Sequence, residues 1–307
     1  MEVHVVIATK GRAHALGHLA DRIASQTALP ASLTFVGSRP EDVAGIEAHP
    51  LRERCAVDVL IAGAAGLCIQ RNFGVSHVTA PYRSGQKTAP FFIAFFDDDY
   101  RPAVDWLEQA RRVFESQSTV VGLTGCMLAD GINGDPITEA EAEQYLSRMR
   151  PPERHWATGA EPRPLTSMYG CNMAFRDRAI LGCRFDENLP LYGWQEDRDF
   201  TAQAMAFGST IYAPTCRGVH LGSRSGRISG LRFGYSQIAN PVYMWRKGTI
   251  SVAQGAQFVV RHLLSNTAKT LRSNPSHDYP GRLRGNFLAI TDLLRGTCHP
   301  TRVLHIG

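Results

Sequence analysis

The sequence predicts an α/β protein organised around a mainly parallel β-sheet. Short apolar runs alternate with segments of helical periodicity from the start of the chain, which is the pattern of successive βαβ units. One run, residues 91–96, is apolar throughout and contains four Phe, as expected for a strand buried on both faces. It ends abruptly in Asp97, Asp98 and Asp99. Because open α/β sheets bind ligands beyond the carboxyl ends of their strands, we expect a binding site there.

The predicted elements follow one another in a regular order. Apolar runs predict strands at residues 3–7, 33–36, 57–61, 91–96, 120–123, 169–175 and 211–212, with a turn at Pro214 before residues 219–220. Helical spacing predicts helices around residues 16–23, 69–75, 104–114, 139–150 and 200–207, and then at 235–247, 250–273 and 282–295. The sequence therefore predicts an α/β domain at 1–232, with an insertion at 130–167 over the sheet edge, and a helical region at 233–307.

Composition is typical of a soluble globular protein, with 44% hydrophobic and 20% charged residues. The start of the chain has an early acid and only a short apolar run, which does not predict a secretory signal. No stretch approaches the roughly 20 apolar residues that a membrane-spanning helix needs. The seven Cys are scattered, with no Cys-x-x-Cys pair. Reduced thiols in a cytoplasmic protein are therefore expected, and not a disulfide framework or a zinc site.

The net charge of +5 hides an asymmetry along the chain. Residues 217–307 contain thirteen Arg and Lys but only two acids, whereas residues 1–216 carry more acids than bases. Charge of one sign on this scale predicts an anionic partner: phosphates, nucleic acid or an anionic membrane leaflet. A solubilising basic face is the alternative. No nucleic-acid motif accompanies the charge, so we expect no nucleic-acid binding and favour peripheral attachment to an anionic membrane surface.

The three acids after residue 96 have a predictable arrangement. Side chains alternate along an extended chain, so Asp97 and Asp99 are expected to face one way and Asp98 the other. Neighbouring carboxylates raise one another's pKa unless a cation or hydrogen-bond donors offset their charge. A hard divalent cation that also holds substrate phosphates fits this need. The alternative is an acidic turn that caps the next helix. By themselves the residues predict a phosphate–metal site and no more.

Several motifs occur in an order that resembles the family 2 glycosyltransferases, which have the GT-A fold, a nucleotide-diphospho-sugar transferase fold with a Rossmann-like mixed sheet. The matching pieces are the opening Val-Val-Ile-Ala-Thr-Lys-Gly-Arg, the Arg71-Asn72 pair, the Asp-rich turn, Gly-Cys-Asn-Met-Ala at 170–174, Gly-Trp-Gln-Glu-Asp at 193–197, and His220. The resemblance covers roughly residues 1–222. It implies an inverting, metal-dependent enzyme that moves a sugar from a nucleoside-diphosphate sugar to a hydroxyl acceptor in polysaccharide or glycolipid assembly.

The resemblance also implies roles for single residues. Asp197 matches the family's base, which takes the acceptor's proton, and Glu196 is the second candidate for that role. The alternative is that both residues only stabilise the N-terminus of a helix, where negative charge is favourable. Asp99 and His220 match metal ligands, for manganese or magnesium. The other implied contacts are to the nucleotide sugar, by Thr9, Lys10, Arg12, Arg71, Asp97, Asp98, Arg224 and Arg227, and to the acceptor or sugar, by Trp194 and Asn172.

Two departures from the family pattern bear on the donor. Ala8 stands where the family usually has Pro, and the second strand is followed by no acid until Glu41 and Asp42, although the family usually reads the nucleobase with an acid there. The nucleobase therefore stays open: UDP is preferred by family frequency, with GDP, TDP and CMP donors as alternatives. The acceptor is expected to be a saccharide or a lipid-linked saccharide, bound near the 130–167 insertion.

Two other functions remain open. A sugar nucleotidylyltransferase would have a similar sheet and acidic metal site, but it needs a Gly-rich phosphate loop after the first strand, which Lys10-Gly11-Arg12 resembles only faintly. A basic binding module for membrane or nucleic acid, with a degenerate transferase domain, would explain the charge of the last third. The intact acids argue against that degeneration.

Overall fold

A mixed β-sheet forms the centre of the molecule. The computed structural model describes residues 1–132, 134–225, 228–272 and 277–307. In these residues the strands are β1 (Glu2–Thr9), β2 (Ser32–Gly37), β3 (Ala56–Ile61), β4 (Phe91–Asp97), β5 (Tyr100–Pro102), β6 (Val120–Asp130), β7 (Arg163–Pro164), β8 (Asn172–Arg176) and β9 (Ser209–His220). Their order across the sheet is β3-β2-β1-β4-β8-β6-β9-β5, and β7 pairs with β9. β1 to β4 run parallel, and β8 is antiparallel to both of its neighbours.

Helices cover both faces of the sheet and continue beyond it. The described helices are α1 (Ala13–Ala24), α2 (Leu67–Arg83), α3 (Trp106–Ser116), α4 (Glu139–Leu146), α5 (Asp177–Gly182), α6 (Glu196–Ala204), α7 (Gly230–Lys247), α8 (Val252–Leu271) and α9 (Tyr279–Leu294). The predicted α/β architecture with a helical C-terminal part is confirmed. No helix within the described ranges is both long and apolar enough to cross a bilayer.

The Phe-rich strand β4 lies at the centre of the sheet and is buried on both faces, as its sequence predicts. Phe92 and Phe96 belong to one core cluster, with α1 and α3, whereas Phe91 and Phe95 belong to another, with α5 and α6. All six apolar residues of the strand are at most 1% exposed. The acids at the end of β4 therefore follow a strand that is buried on both faces.

Four element predictions need correction. A short strand, β5, follows the acids directly where a helical pattern was expected, and β6 extends to Asp130 instead of ending at residue 123. The predicted turn at Pro214 is wrong: β9 continues through it, and a register shift against β6 absorbs the extra residues. Finally, α4 ends at Leu146 and not at 150, because Arg148 has a left-handed φ of 64°.

The C-terminal helices form a bundle whose backbones approach closely. Within it, α7 and α9 pack around Tyr235, Ile238 and Ala289. A Cβ atom at Gly285 would lie 2.1 Å from the Leu231 carbonyl oxygen. This contact explains a glycine in the middle of α9, where its flexibility costs helix stability.

The close approach at Gly285 gives a stability prediction. We expect Gly285→Ala to lower the free energy of unfolding by about 1–3 kcal/mol, because two helix backbones must separate to admit the methyl group. Gly17→Ala in α1 is the matched control: its added Cβ meets nothing within 4 Å, so we expect about 0.4–1 kcal/mol of stabilisation. Urea unfolding of the three proteins measures both effects. Equal behaviour of the two variants would contradict the close packing.

Candidate active site

The acids after β4 meet a histidine from the last strand of the sheet. In the described part of the chain, Asp97, Asp99 and His220 offer ligand atoms that all lie within 4.8 Å of one another. The chain reverses after Asp99, and β5 pairs with the end of β9, which sets Tyr100 opposite His220. The pairing leaves His220 Nε2 3.3 Å from Asp99 Oδ1. Asp97 and Asp99 thus share one cluster, but strand alternation does not determine this: β4 ends at Asp97, and Arg12 Nη1 lies 2.8 Å from Asp98 Oδ1 and 3.3 Å from Asp99 Oδ2, so Asp98 does not face the opposite side.

Further hydrogen bonds hold both ends of this cluster. His220 Nδ1 lies 2.9 Å from Asp130 Oδ1, and Asp130 also accepts a bond of 2.6 Å from the Tyr169 hydroxyl. A carboxylate on one ring nitrogen turns the other toward the cluster, as carboxylates behind metal-binding histidines do. Asp99 accepts the Ser223 N–H at 2.8 Å. The sequence analysis missed Asp130 and Tyr169, although Asp130 ends β6 much as Asp97 ends β4.

Electrostatics at the cluster favour a bound cation. Burial opposes ionisation of Asp99, but the charge of His220 and its hydrogen bond outweigh burial and lower the pKa of Asp99. Burial likewise opposes charge on His220, and Asp99 and Asp130 outweigh it and raise the pKa of His220. The same negative field attracts a divalent ion. Asp99 Oδ1 is buried, and its polar neighbour is His220 Nε2 at 3.3 Å, so a metal ion here would take the place of the proton on His220. Two carboxylates and an imidazole fit manganese or magnesium.

A small pocket opens beside these acids, at the carboxyl ends of β1 and β4. It has a volume of about 130 Å³. Arg12 Nη1 donates a hydrogen bond to Asp98 Oδ1 at 2.8 Å, and the Thr9 hydroxyl donates to Asp98 Oδ2 at 2.8 Å. Arg12 also donates to the Ser225 carbonyl oxygen, which brings the loop after β9 across the pocket. The predicted nucleotide-sugar residues that line the pocket are Thr9, Lys10, Arg12, Asp97 and Asp98.

Two buried polar residues fix the loops around this pocket, and the sequence analysis assigned neither a role. The Gln70 amide donates to the Thr9 and Val36 carbonyl oxygens, both at 2.7 Å, and so joins the ends of β1 and β2. Asp42 accepts the Gly11 N–H at 2.7 Å and the Ser38 hydroxyl at 2.6 Å. Burial opposes ionisation of Asp42, but these hydrogen bonds outweigh it and lower its pKa. Asp42 thus lies near the pocket and connects the loops after β1 and β2 through these hydrogen bonds.

A buried arginine connects the acids of β4 to those of α6. Arg71 is 1% exposed, and its guanidinium bonds Glu196 Oε1, Asp97 Oδ1 at 3.1 Å and the Gly170 carbonyl oxygen at 2.8 Å. Burial opposes its charge, yet Glu196 and Asp97 outweigh burial and raise the pKa of Arg71. Its polar contacts are thus made to protein groups. This favours a positioning role over the predicted direct contact with a nucleotide.

The two acids at the start of α6 have different surroundings. Glu196 is 4% exposed and pairs with Arg71, and burial raises its pKa to about 8. Asp197 is only partly buried, and it accepts the N–H groups of Gly170 at 3.0 Å and Arg198 at 2.8 Å. Burial also raises the pKa of Asp197, against those two hydrogen bonds. Asp197 is therefore the acid that can reach an acceptor, and Glu196 is tied into the protein.

Gly170 brings these acids close to the metal cluster. Its N–H bonds Asp197 and its carbonyl oxygen bonds Arg71, which in turn bonds Asp97. A Cβ atom there would approach Glu196 Oε1 to 3.0 Å. The next residue, Cys171, has its thiol pKa raised by burial and then by the charges of the acids around it, Asp97, Asp130, Asp99 and Asp197. The predicted base and the predicted metal ligands therefore surround the same few residues.

The loop before α6 is strained. Leu191 and Gln195 are non-glycine residues with left-handed φ values of 58° and 72°. Such conformations cost free energy and persist where the surroundings impose them, often at functional sites. The C-terminal bundle supplies part of that constraint. Asn240 donates to the Trp194 carbonyl oxygen at 2.8 Å, and the His262 ring packs edge-on to the Trp194 ring at 4.8 Å.

The remaining predicted site residues lie at varying distances from the cluster. Arg224 is exposed and bonds Asp135 of the insertion at 3.0 Å. Trp194 is half-buried against the C-terminal helices. Asn172 is fully buried and accepts a hydrogen bond from the Trp106 indole, so the structure does not bring it to the surface where an acceptor would bind. Arg227 lies outside the described residues.

Comparison with known proteins identifies the fold. No protein-family model and no curated protein sequence matches the chain. Among solved structures, the mannosyltransferase PcManGT from Pyrobaculum calidifontis, in complex with GDP-Man and Mn²⁺, is similar with a TM-score of 0.56 and 14% identity, over 95% of this chain and 87% of that one. S. aureus TarS is similar with a TM-score of 0.51 and 15% identity, over 84% of this chain. Residues 1–349 of TarS in complex with UDP give a TM-score of 0.50 and 13% identity, over 96% and 92% of the two chains.

These similarities define a class of fold. The chain spans 42% of the length of the longer TarS chain, so it corresponds to one part of that protein. At 13–15% identity the similarity establishes the fold alone. The chain has the α/β fold of glycosyltransferases with a helical C-terminal extension, and this prediction is confirmed.

The buried position of Arg71 gives a second stability prediction. We expect Arg71→Met to lower the free energy of unfolding by about 3–5 kcal/mol, because the buried carboxyl of Glu196 loses its donor and must either stay charged without a partner or take up a proton. Glu196→Gln in the same chain should restore part of that loss, because its side chain carries no charge at any pH. Arg112→Met is the control: Arg112 forms an exposed i,i+4 pair with Glu108, for which we expect less than about 1 kcal/mol. Urea unfolding measures all four proteins.

Either of two results would contradict the role given to Arg71. The first is an Arg71→Met variant as stable as the Arg112→Met control. The second is a double variant no more stable than Arg71→Met alone, which would mean that the loss comes from packing and not from the unpaired carboxylate.

Proposed function

We propose that the protein is an inverting, metal-dependent glycosyltransferase of family 2 that transfers a sugar from a nucleoside-diphosphate sugar to a hydroxyl acceptor. One observation carries the proposal: the cluster of Asp97, Asp99 and His220 and the carboxylate of Asp197 are joined through Arg71 and Gly170, beside a pocket. The glycosyltransferase fold supports it.

Asp197 is the proposed catalytic base. An acceptor hydroxyl is a poor nucleophile at neutral pH, so a carboxylate must take its proton as the hydroxyl attacks the anomeric carbon. The N–H groups of Gly170 and Arg198 orient Asp197 and leave lone pairs on both of its oxygens. Attack on the side opposite the departing diphosphate inverts the anomeric centre. Arg71 holds Glu196 beside this base without offering it to the acceptor.

The donor is proposed to bind along the ends of β1 and β4. Thr9, Lys10 and Arg12 face the nucleoside and ribose, and Asp97 and Asp98 line the same pocket. Asp97, Asp99 and His220 would hold a manganese or magnesium ion, which neutralises the charge that gathers on the leaving diphosphate. Arg224 and Arg227, which follow β9 in the sequence, are proposed to close over the phosphates.

For the nucleobase and the acceptor, we propose only a chemical class. UDP is the preferred donor nucleotide. The similar proteins leave it open, since TarS was solved with UDP and PcManGT with GDP-Man. The acceptor is proposed to be a saccharide or a lipid-linked saccharide in polysaccharide or glycolipid assembly, bound near residues 130–167. Residues 1–232 would form the catalytic domain and residues 233–307 a basic region that attaches the cytoplasmic enzyme to a membrane.

Nucleotide binding gives a prediction that needs no acceptor. We expect UDP, or failing that GDP, TDP or CMP, to raise the melting temperature by several degrees in the presence of Mn²⁺ or Mg²⁺, since a ligand at 100 times its Kd adds about 2.7 kcal/mol to the folded state. Asp99→Asn and His220→Gln should each abolish the part of this stabilisation that depends on the metal ion. Asp21→Asn, on the exposed Asp21, should keep it.

Two outcomes would reject this assignment. Stabilisation of equal size without metal, or in the Asp99→Asn variant, would remove the cluster from donor binding. Release of pyrophosphate from a sugar phosphate and a nucleoside triphosphate would make the protein a nucleotidylyltransferase.

The role of Asp197 is tested on the donor found by that screen. We expect Asp197→Asn to lower kcat by about 10²–10⁴-fold, with nucleotide binding unchanged, because only the proton acceptor is lost. A base must be ionised, so the rate of the wild type should fall with acidification through the raised pKa of Asp197. If Glu196 were the base, activity would already fall below pH 8, and Glu196→Gln would be the more damaging change.

A further inference from the structure

Helix α8 places polar residues beside the apolar Val259 and Leu263 on its inward side, and it exposes large apolar residues on its outer side. The inward side carries a chain of polar contacts: Asn266 donates to Gln237 of α7 at 2.8 Å and to Asn286 of α9 at 2.7 Å. His262 lies 3.1 Å from the Gln237 amide nitrogen. A helix at the surface of a globular protein normally buries its apolar side and exposes its polar side. The apolar residues on the outer side of α8 therefore require an explanation.

The outer side of α8 is apolar over most of its length. Val260, Leu264 and Leu271 follow one another at intervals of four and seven residues, which places them on the same side of the helix. Their exposed fractions are 53%, 67% and 80%, and Val252 at the start of α8 is 61% exposed. We call Val252, Val260, Leu264 and Leu271 the α8 apolar face. Single exposed apolar residues are ordinary, but a row of them marks an interaction surface.

The charges around the α8 apolar face have one sign. Arg261 of α8 and Arg272, which follows its last residue, are exposed, and α8 contains no acid. The two acids of residues 217–307 are both engaged elsewhere: Asp278 caps α9, and Asp292 is 2% exposed, paired with Arg302. α9 adds exposed apolar and basic residues of its own, Phe287, Leu294, Arg284 and Arg295.

We propose that the α8 apolar face docks on the surface of an anionic lipid bilayer. An amphipathic helix with an apolar strip and flanking basic residues inserts that strip at the boundary between headgroups and acyl chains, while the arginines contact anionic headgroups. Charge complementarity selects this partner over the alternatives. A second copy of the chain would bring arginines against arginines, and a nucleic acid would leave the row of Val and Leu without an apolar partner.

The position of α8 relates this surface to the catalytic loop. Phe258 and His262, on α8, contact the ring of Trp194, three residues before Asp197. A single helix, about 10 Å across, thus separates the proposed membrane surface from the loop that leads into α6, the helix that contains Asp197. This last step rests on the proposed glycosyltransferase function: an acceptor anchored by a lipid in the bilayer would present its hydroxyl near Asp197.

Vesicle flotation of the full chain tests the docking surface without reference to catalysis. We expect the protein to float with vesicles of phosphatidylcholine and phosphatidylglycerol, much less with pure phosphatidylcholine, and less at high salt. Leu264→Gln with Leu271→Gln should weaken binding roughly tenfold or more, because two apolar side chains no longer insert. Met149→Gln, at a residue 70% exposed in the insertion, is the matched control and should bind like the wild type.

Three results would overturn the proposal. They are no binding to the anionic vesicles, equal binding by the double Leu variant, or a wild-type dimer in solution that this variant converts to a monomer, which would assign the face to a second copy. The exposed positions should leave the melting temperature unchanged, so loss of folding is detected separately. Metal-dependent nucleotide binding in the double variant reports on the proposed function, and its retention with loss of flotation would separate the two claims.

Discussion

The structure of the site depends on one buried cation. Arg71 is removed from water and bonds two carboxylates that come from different parts of the chain, Asp97 at the end of β4 and Glu196 at the start of α6. A guanidinium can do this because it is planar, stays charged when buried and offers several donors in a fixed geometry. Without it, the buried carboxyl of Glu196 and the carboxylate of Asp97 would lose the donor that they share. With it, the acids of β4 and those at the start of α6 are held in one arrangement.

The two parts of the chain differ in charge, and their charged residues lie in different surroundings. The acids of the first two-thirds converge on the end of the sheet, where burial and mutual repulsion would be costly unless cations or donors offset them. Arg12 does so for Asp98, and Arg71 does so for Asp97. The last third is basic because it has only two acids, of which Asp292 is buried and Asp278 caps α9, and exposed arginines accompany its apolar surface.

The sequence predicted the parts of the fold that local pattern determines. The apolar run before Asp97 specified a central strand, but alternation did not give the directions of the acids, because Asp98 and Asp99 lie in a turn beyond the strand and both contact Arg12. Long-range pairing could not be read in this way. The three residues of β5 have too little pattern to predict, yet their pairing with β9 brings His220 to Asp99. The burial of Asn172 and Arg71 likewise follows from tertiary packing, since neither residue type shows from its neighbours whether it faces a cleft or the interior.

The C-terminal bundle contacts the segment that contains Asp197, in addition to its proposed role in membrane attachment. Two non-glycine residues before α6 have a left-handed backbone conformation, which costs free energy unless tertiary contacts impose it. Asn240 bonds the backbone between them, and Lys247 pairs with Asp199 of α6 at 2.7 Å. These contacts hold the loop and the helix that carry Asp197 against α7 on one side, while Gly170 holds them on the other. The position of Asp197, the proposed base, therefore depends on both parts of the chain, which is why the helical extension belongs to the site.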